Sequence, residues 1–265
     1  MLRPKLMGAC LKSRSEGQTL VLILSNPEHR NALDPEMYAA GVEALTAAER
    51  NPDIRSIVLT GEGAHFCAGG QLQRLLNNRQ QAPGVQAASI ESLHNWIETL
   101  RTYPKPVIAA VEGACAGAGF SLALACDLIV AAHDSVFVMA YSNVGLSPDG
   151  GATWSLTRSV PRALAMQWLW TGERISASRL HDLGLINALH PSGEALSGAL
   201  ALASSLNMRA PNALASIKDL VNDAPETPLT AHLRAEKDHF VRNLHHPNAA
   251  EGIEAFLYKR PARYR

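Results

Sequence analysis

VIAAVEGACAGAGFSLALACDLIVAAHDSVFVMAYSNVGLSPDGGA, residues 107–152, decides how the rest of the chain is read. Its first five residues, VIAAV, have the length and branching of a buried strand. Gly113 to Gly119 then hold only Gly, Ala and Cys, which leave room for a ligand or another backbone to come against the main chain. The run FSLALACD follows with helical character, so the N–H groups near Ala118 and Gly119 point out of a helix N-terminus, where developing negative charge is stabilised. That is the outline of an oxyanion hole. The competing reading is structural, because Gly/Ala runs also let a helix lie close on a strand. Downstream, SNVGLSPDGG puts Asp149 in a loop punctuated by Pro and Gly. It reads either as turn chemistry or as a carboxylate aimed back at the same place.

Upstream, residues 5 to 12 and TLVLILS at 19 to 25 read as paired strands joined by SEGQ. Asp34 followed by Pro35 predicts the cap and first position of a helix reaching Arg50. Next come a strand at IRSIVLTG, the glycine-rich loop GEGAHFCAGGQ, and helices over LQRLLNN and SIESLHNWIETLRTY, the second ending before Pro104. Short strands at LIVAA and SVFVM complete an alternation of strands and helices, which predicts an α/β fold with helices on the sheet faces. Beyond Trp154 no further strand is expected. RALAMQWLW, SASRLHDLG with Gly184 at its end, EALSGALALASSLN, PNALASIKDLVN, PLTAHLRAEKDHFVRNL and NAAEGIEAFLYKR read as amphipathic helices, the last opened by Asn248 and Glu251. The expected organisation is an α/β core over residues 1–200 and a helical C-terminal part over 201–265.

A formal net charge of +0 lacks the basic footprint of a nucleic-acid binder, so no such partner is expected. No apolar run approaches the ~20 residues that span a bilayer, and the start has no apolar signal-peptide core, which points to a cytoplasmic protein without a membrane partner. Cys10, Cys67, Cys115 and Cys126 show no CxxC spacing and read as free thiols, mostly buried. The glycines of the 113–119 run do not fit a dinucleotide fingerprint, and no P-loop lysine follows them. His232, Glu236 and His239 share a helix face that reads as a solvated charged face, and no metal site is expected. GFSLA at 119–123 looks like a nucleophile elbow around Ser121, but the strand before it ends too early, at Val111.

FCAGG at 66–70, the Gly/Ala turn leading into LALACD, the VGLSPDGG loop and the ending EGIEAFLYKR, in that order, resemble the crotonase superfamily, also called the enoyl-CoA hydratase/isomerase family. The resemblance implies a spiral of strand-strand-helix turns, with a helical C-terminal part used to form trimers, commonly stacked as hexamers. It implies acyl-CoA thioester substrates, with coenzyme A entering as part of the substrate and no separate cofactor. The enolate formed on such a thioester is implied to rest on two backbone N–H groups, here Gly70 and Ala118. Coenzyme A contacts are implied at the Arg30 to Ala32 loop and at Ala68, with Gln71, Leu72 and Tyr141 around the substrate. Phe256 and Lys259 are implied to reach the nucleotide part from a neighbouring subunit. Leu72, Leu75, Leu76 and Trp96 read either as lining of an apolar acyl pocket or as core.

The two glutamates of family hydratases correspond here to Ser121 and Tyr141, so Asp149 is the carboxylate that remains. An Asp at this loop position is similar to that of ring-epoxide isomerases of phenylacetyl-CoA breakdown, and to the nucleophile of chlorobenzoyl-CoA dehalogenases. The dehalogenases also carry a His corresponding to His94. The expected activity is a double-bond or ring isomerase with Asp149 as proton shuttle. The alternatives are a hydratase or ring hydrolase in which Asp149 and His94 activate water, and an inactive scaffold or RNA-binding protein of the same fold.

Overall fold

The structure, a computed structural model, describes residues 8–265. β1 (Cys10–Glu16) and β2 (Thr19–Ser25) form an antiparallel hairpin that turns at Gly17, whose φ of +58° suits a residue without Cβ. β1 therefore runs past Lys12 to Glu16, while residues 5–7 of the expected strand lie outside the described residues. α1 (Pro35–Glu49) starts where Asp34 and Pro35 predict, with the Asp34 carboxylate accepting from Glu36 N–H at 3.3 Å. β3 (Ser56–Gly61), α2 (Leu72–Asn78) and α3 (Pro83–Thr102) follow, and α3 stops short of Pro104.

The central stretch gives β4 (Val107–Val111), β5 (Ala114–Ala116), α4 (Ala118–Ala125), β6 (Leu128–Ala132) and β7 (Val136–Val138). The Gly/Ala run is thus not one turn. Its middle is a short strand, which pairs in parallel with β7 and meets the FCAGG loop through an isolated backbone β-bridge between Cys67 and Cys115, both free thiols. β4 and β6 enter one sheet, and β5 and β7 enter another, before each pass turns into helix. This is the expected strand-strand-helix spiral.

α5 (Ala152–Ser159), α6 (Arg162–Thr171) and α7 (Ala177–Asp182) come next, α5 being an addition to the expected helices. Two strands then lie beyond Trp154, against expectation: β8 (Ile175–Ser176) and β9 (Ala188–His190). Both sit at sheet edges, held by pairing with β7 and β6, and are too short to carry a readable period. The larger sheet has the order β1-β2-β3-β4-β6-β9 and the smaller β5-β7-β8.

β4 reads as continuously apolar because both faces of the sheet are covered. Val107, Ala109 and Val111 enter the main core, whereas Ile108 and Ala110 meet Ala199 and Ala203 of α8 (Ala195–Asn207). Trp96 belongs to the main core and not to a pocket lining: it is fully buried, and its ring fills space that a Cβ on Gly41 would overlap.

α9 (Pro211–Asp223), α10 (Leu229–Leu244) and α11 (Pro247–Leu257) close the chain. The expected opening of the last helix by Asn248 and Glu251 is corrected. His246 is the cap, accepting from Asn248 N–H at 3.1 Å, and Pro247 takes the first position. Asn248 instead ties down the chain end, exchanging hydrogen bonds of 2.9 and 3.0 Å with the Arg265 backbone, while Glu251 pairs with Arg260 at 2.6 Å. No helix among the described residues is long and apolar enough to cross a membrane.

Candidate active site

Two small-residue loops meet beyond the C-terminal ends of β3 and β4. Cys67 N–H donates to Ala114 O at 3.0 Å and Ala116 N–H returns to Cys67 O at 2.8 Å. A Cβ on Gly69 would stand 2.8 Å from Ala116 O, and one on Gly119 would stand 2.6 Å from Cys67 O. Close packing and loop geometry are therefore both reasons for the glycines, since Gly69 and Gly117 also adopt φ of +93° and +51°. Cys67 itself is packing material. Burial pushes its thiol up to about 12, although Gly69 N–H directed at Sγ at 3.3 Å lowers it in part.

What the packing leaves over is a pair of donors. Ala118 is the first residue of α4, so its N–H has no acceptor within the helix. Neither it nor Gly70 N–H donates to a backbone acceptor among the described residues. Gly70 is fixed from the other side, by its bridge to Leu33 and by Leu33 N–H donating to Gly69 O at 2.8 Å. The Arg30 to Ala32 loop is adjacent, because Ala68 N–H donates to Arg30 O at 2.9 Å. Buried Asn31 holds that loop by donating to Glu62 O at 2.9 Å and His65 O at 2.7 Å. Arg30, Ala32, Ala68 and Gly70 are thus brought together.

Asp149 is tied to the helix that carries Ala118. Tyr141 Oη donates to Asp149 Oδ1 at 2.6 Å, and the buried Ser121 hydroxyl donates to Asp149 O at 3.1 Å while lying 3.3 Å from Tyr141 Oη. Gly150, with φ of +58°, lets the loop press on α4 and α3, since its Cβ would stand 3.0 Å from Ser121 Cβ and 3.6 Å from Leu93 Cδ2. Burial first, and then the Asp149 carboxylate, hold the Tyr141 hydroxyl well above its ordinary range. Tyr141 consequently keeps its proton and acts as the donor. Ser121 is no exposed nucleophile, because its hydroxyl is bound to the carbonyls of Gly117 and Asp149.

His94 lies half-buried on α3, beside Leu93, and its side chain makes no hydrogen bond among the described residues. The structure does not join it to Asp149. Gln71 directly precedes α2, and Leu72, its first residue, is 59% exposed. Phe256, 84% exposed, and Lys259 sit at the far end of the chain, and no hydrogen bond or ion pair among the described residues links them to the two loops. Tyr38 and Arg74 escaped the sequence reading. Burial pushes the Tyr38 hydroxyl up to about 12, with Arg74 opposing and Asp149 and Cys67 adding to the rise, so it stands within electrostatic reach of the site. The available signal was position: Tyr38 follows Leu33 into α1, and Arg74 lies in the first turn after FCAGG.

The fold and the sequence point to one family. The family model described as enoyl-CoA hydratase/isomerase matches residues 14–265, and the chain belongs to that family. It is 37% identical to the 1,2-epoxyphenylacetyl-CoA isomerase of Escherichia coli (strain K12), with 95% of this chain and 97% of that protein covered. It is 34% identical to the 2,3-dehydroadipyl-CoA hydratase of the same strain, over 96% and 97% of the two chains. Among solved structures, an enoyl-CoA hydratase from Polaromonas sp. JS666 matches with a TM-score of 0.96 at 70% identity, covering 97% of this chain and 100% of that one.

Proposed function

We propose that the protein is an acyl-CoA isomerase in which Asp149 shuttles a proton on an enolised thioester. The observation that carries this reading is the hydrogen-bonded set Asp149, Tyr141 and Ser121, anchored on the helix whose first N–H, at Ala118, is free. The thioester carbonyl rests between the N–H groups of Gly70 and Ala118, each worth about 3 kcal/mol to the transition state. Asp149 takes a proton from the carbon next to the carbonyl, and the C–H electron pair becomes the enolate double bond, with charge moving onto the carbonyl oxygen. Asp149 then returns the proton to a carbon further along the conjugated system, and the double bond shifts. Tyr141 orients the carboxylate through Oδ1, leaving Oδ2 for the substrate.

Coenzyme A is held as part of the substrate along Arg30, Ala32 and Ala68, with Gln71, Leu72 and Tyr141 around the acyl part, and the chemistry needs no separate cofactor. The water-activating alternative uses Asp149, with or without His94, to activate water, and the position of His94 gives it no added support, since no hydrogen bond links the two side chains. The scaffold alternative has a retained carboxylate and a net charge of +0 against it. A direct test compares the shift of a 3-enoyl-CoA to its 2-enoyl isomer with hydration of crotonyl-CoA. Isomerisation is expected to lead by about 10²-fold, the contribution of one well-placed acid–base group. Hydration as fast as isomerisation sinks the isomerase reading.

Assembly completes the proposal, with the core up to about residue 200 binding the substrate and the helical part beyond it holding copies together. Ile253, Phe256 and Leu257 are 51%, 84% and 69% exposed on one short helix, an apolar surface of the kind that marks interfaces. Trimers or hexamers are expected by sedimentation, with Phe256 and Lys259 meeting a neighbour's coenzyme A. A monomer at micromolar concentration contradicts this.

A further inference from the structure

The acyl side of the site contains a cation that the proton shuttle does not use. Arg74 lies in the first turn of α2, and its Nη1 donates to Ser89 Oγ of α3 at 3.0 Å. Its Nε is buried with no acceptor, and among the described residues no carboxylate pairs with the guanidinium. A guanidinium offers five donors in a planar fork; here Nη1 donates to Ser89, the Tyr38 hydroxyl lies within hydrogen-bonding reach of the group, and Nε is left without a partner. The side-on edge that carries Nε is the one that matches the two oxygens of a carboxylate.

Contacts of its neighbours link the Arg74 segment to Gly70 and to the Asp149 loop. The next residue, Leu75, approaches to 3.8 Å from where a Cβ on Gly70 would stand. Ser89 and Leu93 are four residues apart on α3, one turn or about 6 Å along the same face, and Leu93 touches the Gly150 position next to Asp149. Asn78 of α2 donates to Gln86 of α3 at 2.8 Å, which fixes the two helices together on this side. The buried Tyr38 hydroxyl feels both Arg74 and Asp149. On the reading above, a carbonyl held by Gly70 and Ala118 sends the acyl chain past Asp149 toward α2 and α3.

Building on the acyl-CoA reading above, we propose that Arg74, positioned by Ser89, selects acyl groups that carry a carboxylate at their far end. A substrate carboxylate supplies the acceptors that the guanidinium lacks. A plain alkyl chain covers the same donors and leaves them unpaired, which weighs against it.

The test is calorimetric binding of three dicarboxylic thioesters, succinyl-, glutaryl- and adipyl-CoA, against butyryl-, pentanoyl- and hexanoyl-CoA of matching lengths. At one or more lengths the acid binds about 10-fold tighter or better, the range of a hydrogen bond to a charged group. Arg74→Met erases that advantage, weakening the acids and leaving alkyl thioesters bound as well or better, and Arg74→Lys, which keeps the charge without the fork, retains part of it. Unfolding midpoints confirm that the variants are folded. No advantage at any length, or an advantage that survives in Arg74→Met, overturns the proposal and leaves the acyl-CoA reading standing. Failure of all six thioesters to bind removes both.

Discussion

With Ala118 replaced by proline, the protein is expected to keep its fold and lose isomerase turnover by about 10²–10³-fold, the loss usual for one oxyanion donor. The reason lies in the position. Ala118 is the first residue of α4, where the N–H takes no part in the helical ladder and where proline's fixed φ suits the chain. Gly117 before it tolerates the restriction that proline places on its neighbour more easily than a residue with a Cβ. The substitution therefore removes the donor that the fold leaves free and puts a ring methylene in its place, so thioester affinity falls together with turnover. Ala118→Gly, which keeps the N–H, serves as the control and changes turnover little. Unchanged turnover in a folded Ala118→Pro variant places the oxyanion elsewhere.

The close meeting of the two loops was legible in the sequence because it depends on small side chains at fixed places, while Gly70 and Ala118 as the donors came from the family resemblance. FCAGG and the GAG of the central run each need room for another backbone, and Gly69 and Gly119 show why in the contacts a Cβ would make. The α1 start was legible for the same local reason, with Asp34 and Pro35 acting within one turn. Features set by tertiary pairing were not. β8 and β9 exist because β7 and β6 offer edges to pair with, and nothing in IS or ALH announces a strand. The start of α11 turned on Pro247, which overrode the capping pattern of Asn248 and Glu251. At the site, Ser121 and Tyr141 looked like absences, positions where a carboxylate was missing. Their role appears only when hydrogen bonds across 20 and 28 residues of sequence are drawn, from Tyr141 and Asp149 back to Ser121. Arg74 is invisible for a similar reason, because its partner Ser89 is on another helix.

Asp149 carries the largest share of the proposed chemistry, and its amide variant isolates that share. Asn has the same shape, and its Oδ1 still accepts from Tyr141 Oη, so the loop stays tied to α4 through Ser121 as before. What disappears is the ability to accept a proton. A thioester then binds normally between Gly70 and Ala118, and its enolisable hydrogens stay in place.

Exchange of those hydrogens with deuterated water, followed by mass spectrometry in wild type and Asp149→Asn, tests the central claim most directly. Exchange in Asp149→Asn is expected to fall by at least ~10²-fold, the lower end for general acid–base catalysis, with thioester affinity little changed. If exchange instead persists in Asp149→Asn and vanishes in His94→Ala, the base is His94 and the proton-shuttle account is contradicted.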